Sequence, residues 1–105
     1  MGRSEALDLL RGWHDSKSLL RCEASFRGAS MGLRGRALVV EEDIVRICSD
    51  DMSAELALSV REDLNAQFHL RRALEGAEYG RGVIIFFTSP FEEVTDSVAI
   101  FKIKE

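Results

Sequence analysis

Apolar and polar positions alternate at period two over most of residues 19–104, and a single clean helical stripe precedes them. Ala6, Leu9, Leu10 and Trp13 recur at helical spacing, Leu7 widens the stripe, and Ser4 stands where an N-cap would sit. This predicts a helix over residues 5–15. Gly12 weakens it by about 1 kcal/mol relative to alanine, and Lys17 suits the negative end of its dipole.

After the helix, Leu20, Cys22, Ala24 and Phe26 share one face of a strand, while Arg21, Glu23, Ser25 and Arg27 share the other. A turn over residues 28–32 follows. Leu33, Gly35, Ala37 and Val39 then alternate with Arg34, Arg36, Leu38 and Val40. Glu41-Glu42-Asp43 makes the next turn, Ile44–Ser49 a short strand, and Ser49-Asp50-Asp51 another turn.

Residues 52–75 satisfy two patterns. Leu56, Leu58 and Val60, then Ala66, Phe68 and Leu70, alternate as strands do. Met52, Leu56, Val60, Leu64 and Phe68 also step by four, and Ser59-Val60-Arg61-Glu62 matches a capping box. The alternation around Phe68 favours two strands joined near residues 62–65 over a helix across 62–75.

Residues 83–87, Val-Ile-Ile-Phe-Phe, are apolar on both faces of a strand. Val83, Ile85 and Phe87 line one side, Ile84 and Phe86 the other, and neither side can remain in water. Residues 98–103 repeat the property more weakly. The helix can cover one side; the second calls for a barrel interior, another layer or another protein copy. The fold class expected is therefore α+β: an N-terminal helix packed on an antiparallel β-meander, open or closed into a small barrel, as one domain over residues 1–105.

Charge narrows the partners. The chain carries 14 Lys and Arg against 18 Asp and Glu, a formal net charge of −4. Residues 1–40 hold seven basic and four acidic side chains, whereas residues 41–105 hold seven and fourteen. An acidic chain is a poor generic nucleic-acid binder, so an anion site would have to be local. The one local concentration is arginine. In a hairpin turning through residues 28–33, Arg27 would face Arg34 and Ser25 would face Arg36, with Arg21 further along the same side. Like charges directly opposite destabilise a hairpin unless an anion or counter-charge occupies them.

Other chemistry is absent from the pattern. Cys22 and Cys48 form no closely spaced metal pair with each other or with His14 and His69, so no metal site is expected. The acidic turns lie at opposite ends of one strand and cannot form a calcium cage. The glycines at 76, 80 and 82 precede a strand rather than opening a helix, which suits a hairpin connection and not a phosphate loop. No nucleophile elbow appears, and His14-Asp15 carries no sign of an oriented base. Asp51-Met52-Ser53 matches three residues of the PilZ pattern, but no R-x-x-x-R precedes them and Leu56 stands at the glycine position, so that family is not assigned.

These readings lead to a non-enzymatic module without cofactor. It is expected to form a homodimer, or to bind a protein partner, through its two-faced C-terminal strands at Ile84, Phe86, Val98 and Ile100. The alternative is a domain that binds a small phosphorylated ligand or other anion through Arg21, Arg27, Arg34 and Arg36. Neither nucleic acid nor membrane is an expected partner. Paired-cysteine spacing is lacking and Glu5 and Asp8 interrupt any leader-like apolar run, which points to the cytoplasm.

Overall fold

The structure is a computed structural model that describes residues 2–61, 66–71, 79–88 and 94–103. It contains helix α1 (Arg3–Asp15) and seven strands: β1 (Leu20–Phe26), β2 (Ala29–Val40), β3 (Ile44–Ser49), β4 (Glu55–Ser59), β5 (Ala66–Arg71), β6 (Tyr79–Thr88) and β7 (Val94–Ile103). All pair antiparallel in one sheet of order β4-β3-β2-β1-β7-β6-β5. The mixed pattern of residues 52–75 resolves as strand on both sides, since β5 occupies positions at which the rival helix was drawn. Residues 62–65 and 72–78 lie outside the described residues.

The sheet is open, not a barrel. Its two edges are β4 and β5, which are consecutive in the chain and separated by six residues. Six antiparallel steps across the sheet leave β4 and β5 pointing the same way. Parallel neighbours need a crossover of a dozen or more residues, so a link this short cannot pair them. The odd strand count thus breaks closure at the β4–β5 junction, and the chain forms two meanders joined through β1 and β7.

Directly paired residues share a face, which fixes the two sides of the sheet. Leu20, Cys22, Ala24, Leu33, Val45, Ile47, Leu56, Leu58, Phe68, Val83, Ile85, Val98 and Ile100 point toward the helix and form its core with Ala6, Leu7, Leu10 and Trp13. Leu9, expected in that contact, is only partly buried. Each fully buried Leu, Ile or Val contributes about 1.5–3 kcal/mol relative to exposure. Gly35 lets β2 and β3 approach there, because a Cβ at that position would run into the carbonyl of Cys48.

The helix ends are held by tertiary contacts. Gly2, not Ser4, occupies the N-cap and offers no side-chain cap. Instead the Arg3 guanidinium donates to the carbonyls of Val60, at 2.8 Å, and Glu42. At the other end Lys17 adopts φ 54°, and the Ser18 and Lys17 amides donate to the carbonyls of Trp13 and His14 at 2.9 and 3.1 Å. This is a Schellman closure with lysine where glycine is usual. No described helix is long and apolar enough to cross a membrane.

Candidate functional site

Helix α1 covers one face of the sheet, and no described element lies over the other. That outer face has two halves. On β5, β6 and β7 it presents Gln67, His69, Ile84, Phe86, Ser97, Ala99, Phe101 and Ile103; on β1, β2 and β3 it presents Arg21, Glu23, Ser25, Ser30, Gly32, Arg34, Arg36, Arg46 and Cys48.

The apolar half is unevenly sealed. Phe101 and Ile103 are 9% and 7% exposed, whereas Ile84, Phe86 and Ala99 are only half-buried. His69 meets Phe86 edge-on, with ring centroids 5.3 Å apart at 76°. Ser30, Ser25 and Ser97 form a row across β2, β1 and β7, and Ala99 lies beside it, leaving a shelf of small side chains next to Ile84 and Phe86.

The four residues expected at an interface therefore separate. Ile84 and Phe86 lie on the outer face. Val98 and Ile100 are fully buried beneath the helix, because Val98 pairs with Ile85 and Ile100 with Val83. They cannot reach a partner while the helix is docked.

The arginines separate as well. Arg27 and Gly28 form a two-residue turn with φ 39° and 89°, so Phe26 pairs with Ala29 and Ser25 with Ser30. Such turns need positive φ at both positions and match the twist of paired strands. The tighter turn shifts the expected register: Arg34 faces Arg21, Arg27 sits at the hairpin tip, and Ser25 no longer faces Arg36. Arg36 is committed elsewhere, donating to the Lys17 carbonyl at 3.0 Å and to Asp50 Oδ1 at 2.9 Å. Asp50 Oδ2 also lies 4.0 Å from Arg34 Nε. Arg21 lies flat over Gly32, with Nε 3.7 Å from Glu23 Oε1. That distance exceeds a hydrogen bond, and the Nε atom is sealed from solvent with no acceptor. Asp50 had read only as a turn residue; its role as counter-charge follows from the β2–β3 register, which the local pattern does not reveal.

Beyond that face, His14 fastens the helix to β2: Nδ1 lies 3.1 Å from Asp15 Oδ1 and Nε2 lies 3.2 Å from the Leu38 carbonyl. With Lys17, Arg36 and Ala37 these residues line an open cavity of 460 Å³. Its charges are mixed and Arg36 is already engaged, so nothing there is arranged to activate a nucleophile. In the β3–β4 turn, hydrogen bonds from Ser53 and Ser49 hold the Asp51 carboxyl at about 2. That network explains the acidic turn as structure. Burial pushes the Cys22 thiol up to about 12, against the opposing pull of Arg21, which makes it inert as a nucleophile. Cys48 lies against Met52, sulfur to sulfur at 3.5 Å. Among the described residues no three His, Cys, Asp or Glu side chains converge on a metal position. Comparison with known proteins adds nothing to this geometry: no family model, no curated sequence and no solved structure matches the chain.

Proposed function

We propose that the protein is a non-enzymatic assembly module that pairs with a second copy of itself through the outer face of the sheet. The observation that carries this is Ile84 and Phe86, two large apolar side chains left half-buried on a face over which no described element lies, in strands whose opposite side is sealed by the helix. Apolar side chains left partly open to solvent side by side are what a docking partner would cover.

A second copy fits for three reasons. The centre of the face is apolar and its charged half carries both signs, Arg21 with Glu23 and Arg34 and Arg36 with Asp50, so the face does not repel itself. The serine and alanine shelf lets a second sheet approach to packing distance. From β2 to β5 the face measures roughly 24 by 30 Å from standard strand spacing and rise, close to the 800 Å² or so that each partner gives to a stable interface. A two-fold axis needs only this one patch.

Sedimentation equilibrium at micromolar concentration tests the proposal. The expected mass is twice the 11.8 kDa of one chain. Phe86→Lys should return the protein to a monomer, while Met52→Lys, an exposed position in the β3–β4 turn outside that span, should not. A monomeric wild type, or a dimer indifferent to Phe86→Lys, would overturn it.

A further inference from the structure

We infer that Arg21 and Arg34 form a binding site for a phosphate-type dianion on the β1–β2 half of the outer face. The site goes beyond pairing of two copies: it lies on the face proposed to pair and is open in the single chain.

Arg21 and Arg34 are direct partners across the antiparallel β1–β2 pair, which places their Cα atoms about 5 Å apart and their side chains on one face. Two like charges so placed repel unless something between them accepts from both. The nearby carboxylates do this poorly. Glu23 stands 3.7 Å from Arg21 Nε and Asp50 stands 4.0 Å from Arg34 Nε, neither at hydrogen-bond distance. Asp50 is bonded instead to Arg36, at 2.9 Å. Three guanidinium groups and two carboxylates leave this patch one charge positive on a chain of net charge −4.

The second observation is the Arg21 Nε atom. It is closed off from solvent and meets no acceptor among the described residues. A sheltered N–H of a charged group without an acceptor is costly, so the exposed part of the Arg21 side chain gains by lifting off Gly32 to bring this N–H to an oxyanion. Gly32 contributes the space, since any Cβ there would collide with the Arg21 guanidinium. Arg34 is 60% exposed and can swing over the same position. A tetrahedral oxyanion offers oxygens in more than one plane, so it can accept from both guanidinium groups at once, and charge-assisted bonds of this kind are the strong ones. Arg27, in the turn, and Arg36, held by Asp50 and the Lys17 carbonyl, are not part of the site.

The test is a titration with inorganic phosphate at constant ionic strength, followed by the Arg21 Nε–H resonance in ¹⁵N-labelled protein. The expected result is a saturable shift of that resonance, weakened about tenfold in Arg34→Gln by loss of one guanidinium and weakened further by added salt. Arg34→Gln changes an exposed side chain and should keep the wild-type amide spectrum. Pairing through this face would cover Arg21 and Arg34, so phosphate should bind Phe86→Lys at least as tightly as the wild type, and binding to Phe86→Lys stands whether or not two copies pair. No shift, an equal shift with chloride at matched ionic strength, or an unchanged response in Arg34→Gln would overturn it.

Discussion

Phe101 occupies the space that a side chain at position 82 would need. The two residues pair directly across β6 and β7, and a Cβ on Gly82 would collide with the near edge of the Phe101 ring, leaving Cε1 only 2.6 Å away. The ring lies over the bare backbone of the neighbouring strand, and this is how an outer-face phenylalanine is sealed to 9% exposure.

Gly82→Ala should therefore lift Phe101 off the sheet and cost about 1–3 kcal/mol by overpacking. Gly35→Ala should cost more, because its Cβ meets the Cys48 backbone carbonyl, and backbone cannot rotate aside as a ring can. Urea denaturation of the two variants checks the order. Equal, small losses would mean that neither approach is close in solution.

Trp13 is 6% exposed in the helix–sheet core. As the only tryptophan of the chain it reports helix docking directly. Native emission should be blue-shifted and poorly quenched by acrylamide, and Trp13→Ala should cost about 3–5 kcal/mol. Water-like emission would mean an undocked helix and an uncovered sheet on both sides.

Cys22 predicts an alkaline limit to stability. Its folded thiol keeps the proton to about 12, while an unfolded thiol releases it near the model value of 9.0. Between those values the unfolded state binds fewer protons, so stability falls as pH rises, by at most about 1.4 kcal/mol per pH unit. Below the unfolded value the group contributes no slope. Cys22→Ala should be less stable at neutral pH for lost packing, yet show a shallower decline above pH 9 in chemical denaturation. Parallel declines in the two proteins would remove Cys22 as the cause.

Local pattern carries the helix stripe, the alternation of β1, β3, β4 and β5 and the two-faced character of residues 83–87, because each depends only on neighbours in sequence, whereas the alternation read for β2 breaks at a bulge between Ala37 and Val39 that turns Val40 to the core. What depends on pairing was not legible. Gly-Ala-Ser-Met-Gly reads as a loop, yet the turn is Arg27-Gly28, with an arginine at positive φ. That difference of a few residues moved Arg34 from Arg27 to Arg21. Val98 and Ile100 read like Ile84 and Phe86 because both strands are apolar on both faces. Which parity faces the helix is set by the β6–β7 register, and a one-residue slip exchanges the faces completely. Openness of the sheet was also hidden: it follows from the number of strands and the direction of β4 and β5, neither of which any single segment encodes.

Pairing through the outer face is tested most directly by isotope-filtered nuclear Overhauser spectroscopy on a mixture of labelled and unlabelled chains. The predicted result is a set of intermolecular cross-peaks to the Ile84 methyls and the Phe86 ring, with none to Val98 or Ile100, which lie under the helix. Intermolecular contacts confined to other residues, or none at concentrations where the protein is a dimer, would contradict the account.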